Sequence, residues 1–99
     1  MGSDDSNWQP RETRYDFPAT IEYHIENTTA EESFKAVTVN ISSSGLGAYL
    51  FSDHPEGQRI IIKSHLPVAA RRAVIRRIKK EGENTYFAGL SFIRHVTNA

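Results

Sequence analysis

The chain has 99 residues with no cysteine, 38% hydrophobic and 24% charged residues, which fits one folded domain and excludes disulfides, thiolate metal sites and cysteine nucleophiles. The formal net charge is zero, but Gln58–Lys80 carries eight basic residues and no acidic one, which indicates either an anionic partner or a solvated basic face. No apolar run approaches the roughly 20 residues that span a bilayer, and residues 1–10 lack the features of a secretory signal, so we expect a cytoplasmic protein without membrane insertion.

Alternating hydrophobic residues predict short strands separated by polar turns. The predicted strands are Phe17–Ile25, Phe34–Ile41, Leu46–Phe51, Gln58–Leu66 and Tyr86–Phe92. Between the last two, Val68–Lys80 fits either a basic amphipathic helix or a long strand, and the short Glu81–Asn84 turn after it favours the strand. About six closely spaced strands predict an all-β fold, a small barrel or a sandwich. We expect a flexible tail at residues 1–10 and the folded domain at residues 11–95.

The sequence offers no catalytic constellation. Its four histidines lie in separate segments without metal-ligand spacing, and we expect them on the surface or at strand edges. The serines at 42–44 lack the pattern of a nucleophile elbow, and no two carboxylates form an acid and base pair. The sequence therefore predicts a binding domain without catalytic residues, metal or cofactor.

Two polar features are suited to an anion. Arg11 and Arg14 lie just ahead of the first strand, and a guanidinium offers phosphate a planar fork of donors and offers a base a flat face. The segment Asn40-Ile41-Ser42-Ser43-Ser44-Gly45 joins the second strand to the third. Alternation along a strand predicts that Asn40 and Ser42 point to one face, and Gly45 permits a positive φ and close backbone approach to a ligand. Taken singly, these features also fit surface arginines and a serine-rich turn.

In this order the residues resemble the PilZ domain family, whose pattern is Arg-x-x-x-Arg followed by [Asp/Asn]-x-Ser-x-x-Gly. Arg14 matches the second arginine, and Asn40, Ser42 and Gly45 match the later motif. The arginines here are one residue closer, so that Pro10 stands where the first would fall and Arg11 is its neighbour. The resemblance extends to residue 92 and includes a closing strand similar to the family's final Gly-x-x-Phe.

The resemblance implies a six-stranded antiparallel β-barrel that binds the second messenger cyclic di-GMP and acts as a ligand-switched effector or adaptor for a protein partner. By the same resemblance, Arg11 and Arg14 would bind the phosphates and stack on guanine, Asn40 and Ser42 would contact a guanine edge, and Gly45 would keep the turn tight. Arg76 is a further candidate for ligand contact, against the alternative of a solvated outer surface.

Two other functions stay open. One is a PilZ-like module that binds a protein partner without the nucleotide. The other is a small barrel that binds nucleic acid, which is less well supported because no aromatic residue for base stacking lies within residues 59–80.

Overall fold

Six antiparallel strands close into a barrel in the computed structural model, which describes residues 13–29 and 32–93. The strands are β1 (Tyr15–Ile25), β2 (Phe34–Ile41), β3 (Gly45–Leu50), β4 (Arg59–Ile62), β5 (Arg72–Gly82) and β6 (Thr85–Phe92). Their order around the barrel is β1-β2-β3-β6-β5-β4, and the pairing of β4 with β1 closes it. The predicted all-β barrel is thus confirmed. Nowhere in the described ranges does a helix have the length and apolar character needed to cross a membrane.

The fifth strand settles the ambiguity at Val68–Lys80. The helical alternative is wrong, because the chain is extended from Arg72 to Gly82 and pairs with β6 through a tight hairpin. The inward residues Ala73 and Ile75 are fully buried, as alternation along a strand requires. The strand begins four residues later than the predicted segment.

The fourth strand is shorter than predicted, because it ends at Ile62 and not at Leu66. Past this point the backbone N–H of Lys63 donates to the carbonyl of Glu22 at 2.8 Å, and the hydroxyl of Ser64 accepts from the N–H of Glu22 at 2.9 Å. The serine hydroxyl replaces the backbone carbonyl that a longer β4 would offer, so the N–H of Glu22 in β1 keeps a hydrogen bond although β4 has ended.

A buried threonine compensates for a break in the β1–β2 ladder. The register shifts between Asp16 and Ala19, where Pro18 has no N–H to donate. Thr38 is 1% exposed, and its hydroxyl accepts from the N–H of Ala19 at 3.1 Å and donates to the carbonyl of Phe17. This irregularity sets how the start of β1 lies against the end of β2, where the predicted site residues are.

The opposite end of the barrel is filled by an aromatic cluster of Tyr23, Phe34 and His54. The Tyr23 hydroxyl lies 2.9 Å from Nε2 of His54, and the Tyr23 and Phe34 rings stack with centroids 5.4 Å apart. His54 is 9% exposed, so the expectation that all histidines lie on the surface or at edges is wrong for this one. Its partner, Tyr23, belongs to another strand and could not be identified from the residues around His54. Burial raises the pKa of Tyr23 to about 12, which keeps its hydroxyl protonated.

We expect acidification to lower the free energy of unfolding through His54. Burial lowers the pKa of His54 below its ordinary value of 6.5, although the neighbouring charge of Asp53 opposes this shift. Because the unfolded chain binds the proton at higher pH than the folded chain, this contribution to stability is complete above the ordinary pKa and is lost as the pH falls toward the folded one. Urea unfolding at about pH 7.5 and about pH 5.5 measures the loss, which should be smaller in His54→Gln. Equal losses in the two proteins would contradict the expectation.

Candidate functional site

One side-chain hydrogen bond joins the segment ahead of β1 to the end of β2. Nη1 of Arg14 donates to Oδ1 of Asn40 at 3.0 Å, although 26 residues separate them in the chain. The pairing of Asp16 with Asn40 brings them together, since Arg14 is two residues from Asp16. The amide is neutral, so this bond orients the guanidinium without cancelling its charge. Arg14 is exposed, and the structure therefore presents a cation beside a polar amide at the outer surface. Arg11 lies outside the described residues.

Asn40 sits next to a bulge. Thr38 pairs with Ala48 and Asn40 with Gly47, which leaves Val39 as an extra residue in β2. Asn40 is half-buried, whereas Ser42 is only 3% exposed. The expectation that Asn40 and Ser42 alternate along one strand is wrong, because β2 ends at Ile41 and Ser42 belongs to the turn.

The hydroxyl of Ser42 organises the turn between β2 and β3. It accepts from the N–H of Ser44 at 3.2 Å, and the Ser42 N–H donates to the carbonyl of Gly45 at 2.8 Å. The carbonyl of Ser44 accepts from the N–H of Phe92 at 2.8 Å, which ties the turn to β6. Ser42 thus shapes the corner from within, while Ser43 and Ser44 form its exposed surface.

Gly45 is a glycine because β6 lies against it. A Cβ at this position would lie 2.1 Å from the carbonyl oxygen of Leu90 and 3.3 Å from Cα of Ser91. Gly45 does not use the positive φ that a glycine permits: among the described glycines the positive φ belongs to Gly57, at 92°. The close approach that Gly45 permits in this structure is to the neighbouring strand.

Two further glycines lie in the part of the sheet that adjoins Asn40. Asn40 pairs with Gly47, Gly47 with Gly89, and Gly89 with Arg77, so these residues form one row across β2, β3, β6 and β5. A Cβ on Gly47 would lie 3.3 Å from Oδ1 of Asn40 and 3.2 Å from Cζ of Phe87, whereas one on Gly89 would meet nothing within 4 Å. Gly47 is therefore buried against the side chains of Asn40 and Phe87, whereas Gly89 leaves an open position one strand farther along the row.

Comparison with known proteins identifies the family. The family model of the PilZ domain matches residues 9–99. The chain belongs to the PilZ domain family. A solved structure, the PilZ domain with c-di-GMP of YcgR from Escherichia coli, has a similar fold, with a TM-score of 0.55 and 18% sequence identity over 84% of this chain and 76% of that one. No curated protein matches.

Two basic residues of this PilZ domain, Arg76 and Arg77, lie at a second bulge, in β5. The β5–β6 register shifts between Ile75 and Arg77, so Arg76 is the extra residue and Arg77 occupies the position opposite Gly89. Both arginines are exposed. Arg77 is three strands from Asn40 in the same row, or about 14 Å at the usual spacing between strands. Contact of Arg76 with a ligand stays a prediction.

The residues predicted from the sequence omit Gly47 and Phe87, which lie beside Asn40, and Gly89, which pairs with Gly47 on the next strand. A glycine in a strand interior signals close approach by another group, and both glycines carried that signal. The position of Phe87 depends on the β3–β6 pairing, which local sequence does not specify. Within residues 13–29 and 32–93, no group of three or more His, Asp or Glu side chains is placed to hold a metal ion.

Proposed function

We propose that this PilZ domain binds cyclic di-GMP at the corner formed by Arg14 and Asn40. The contact that carries the proposal is the 3.0 Å hydrogen bond between them, because it holds an exposed guanidinium beside an amide at the outer surface of the barrel. A cyclic dinucleotide has two phosphate charges and two flat purines. A planar cation, an amide and bare backbone are the groups that such a ligand requires.

Each residue has a distinct role in this proposal. Arg14 donates to phosphate oxygens and stacks on a guanine, and Arg11 would add a second cation. The amide nitrogen of Asn40 donates to O6 or N7 of guanine, which are both acceptors. Gly89 lets a purine lie close to the sheet, because it has no side chain to hold the base away and the space above it is open. Ser42 and Gly45 act indirectly, by fixing the turn beside the ligand.

The proposal extends to signalling. In this proposal ligand binding also orders the Gln9–Arg14 segment, of which residues 9–12 lie outside the described residues, against the barrel. That movement changes the surface offered to a protein partner, and this is how a binding domain without catalytic groups transmits a signal. The same surface change provides the ligand-switched effector function.

Calorimetric titration with cyclic di-GMP tests the proposal directly, and Asn40→Ala tests the site. We expect this variant to bind roughly ten-fold more weakly, because it loses one hydrogen bond to the base and the group that orients Arg14. Asn84→Ala is the matched control, since Asn84 is an exposed residue of the β5–β6 turn. Absence of heat with the wild-type domain would instead support a PilZ module that binds protein without the nucleotide.

A further inference from the structure

A stripe of apolar side chains crosses the outside of the barrel, two rows of paired residues away from Asn40. Val37 of β2 pairs with Tyr49 of β3, and Tyr49 pairs with Phe87 of β6. Val37 and Tyr49 are each 37% exposed, and the Tyr49 and Phe87 rings pack edge to face with centroids 5.0 Å apart. Phe51, farther along β3, is 48% exposed. A contiguous apolar patch on the outside of a small domain indicates a surface for a partner.

The stripe ends in cations. Phe87 pairs with Lys79 of β5, so a single row runs from an aliphatic side chain through two aromatic rings to an ammonium group. We call Val37, Tyr49, Phe87 and Lys79 the outer stripe. Exposed arginines stand beside its basic end, at Arg76 and Arg77. The ion pairs within the described ranges are Lys35–Glu22 and Arg72–Glu26, and neither includes a cation of this end.

We propose that the outer stripe is a docking surface for an acidic protein segment that carries aliphatic or aromatic side chains. Apolar groups of the partner cover Val37, Tyr49 and Phe87, and its carboxylates lie against the cations of β5. The charges orient the segment and reject basic sequences, while the apolar contacts provide most of the affinity. A nucleic acid fits this surface less well, because Val37 can neither stack on a base nor pair with a phosphate. The proposed docking surface adjoins the nucleotide site at Phe87 and extends away from the Arg14–Asn40 corner through Tyr49 and Lys79.

Selection from a display library of short random peptides tests the composition of the occupant. The wild-type domain is the bait, and a domain with both Tyr49→Ser and Lys79→Glu removes peptides that bind elsewhere. We expect the enriched peptides to be acidic and to carry leucine, isoleucine, phenylalanine or tryptophan. Basic or uncharged sequences, or no enrichment, would overturn the proposal.

Calorimetry with the most enriched peptide then tests the location. Tyr49→Ser and Lys79→Glu should each weaken its binding about ten-fold, which corresponds to the loss of one good interfacial contact. Arg59→Glu reverses the charge of an exposed residue on β4, which lies opposite β3 in the barrel, and should leave the affinity unchanged. Should Tyr49→Ser unfold the domain, Lys79→Glu alone gives the answer, because its side chain is exposed. Retained peptide affinity in a folded stripe variant would overturn the proposal.

Two more titrations separate this surface from the nucleotide site and from nucleic acid. Cyclic di-GMP should bind the stripe variants as it binds the wild type; a loss of nucleotide binding together with peptide binding would make the stripe part of the nucleotide site and overturn the proposal. If the wild type fails to bind cyclic di-GMP but the peptide results hold, only the proposed nucleotide function fails. Tighter binding of single-stranded oligo-dT than of the peptide, lost in Lys79→Glu, would assign the stripe to nucleic acid.

Discussion

Replacing Arg14 by alanine should weaken binding of cyclic di-GMP by roughly 100-fold, the largest effect expected from any single change at the site. The expectation combines at least one charge-assisted hydrogen bond to phosphate, worth about 1.5–3 kcal/mol, with the loss of a stacking face on guanine. About 1.4 kcal/mol corresponds to each ten-fold step in affinity. Isothermal titration calorimetry of the wild type and the variant measures the difference.

The fold should be unaffected by the same change. Arg14 is exposed and precedes the first residue of β1, so its removal leaves no cavity and breaks no ladder bond. Arg59→Ala controls for the loss of one exposed arginine, and Arg14→Lys keeps the charge while removing the planar fork. An intermediate affinity for the lysine variant supports a role for the fork. Unchanged affinity in Arg14→Ala would remove this corner from the ligand site.

Much of the barrel could be predicted, because alternation is a local property of the sequence. The burial of Ala36 and Thr38 between exposed neighbours in β2 repeats the pattern expected of a strand with one face in the core. The position at which a strand ends depends less on the local sequence. β4 ends early because the hydroxyl of Ser64 bonds to β1, and nothing near Ser64 in the sequence indicates that partner.

The site could be predicted only in part for the same reason. The family motif singled out Arg14 and Asn40, and the structure places them in contact. The motif could not indicate that Ser42 is buried in its own turn, because a motif specifies residue types and not their surroundings. The bulge at Val39 decides how Asn40 is presented, and bulges depend on the register between two strands and not on either one alone.

The largest expected effect on stability is that of Gly45→Ala. Gly45 belongs to the sequence motif, but the residue that it contacts, Leu90, lies on a strand far away in the chain. The new Cβ would lie 2.1 Å from the carbonyl oxygen of Leu90, and its other near neighbours are also backbone atoms. No rotation of a side chain can relieve this contact, so β3 and β6 must separate. Overpacking commonly costs about 1–3 kcal/mol, and we expect the upper end of that range or more, measured as the free energy of unfolding in urea.

Gly89→Ala is the matched control, because its added methyl group meets nothing within 4 Å and should change stability by less than about 1 kcal/mol. Equal stability of the two variants would show that the sheet adjusts at Gly45 without cost and that the glycine is kept there for another reason. The comparison also affects how binding data are interpreted. Since Gly45 holds β3 against β6, a loss of nucleotide binding in Gly45→Ala reports on ligand contact only if the variant is still folded. Arg14 and Asn40, whose side chains lie at the surface, are therefore the positions at which binding and folding can be measured separately.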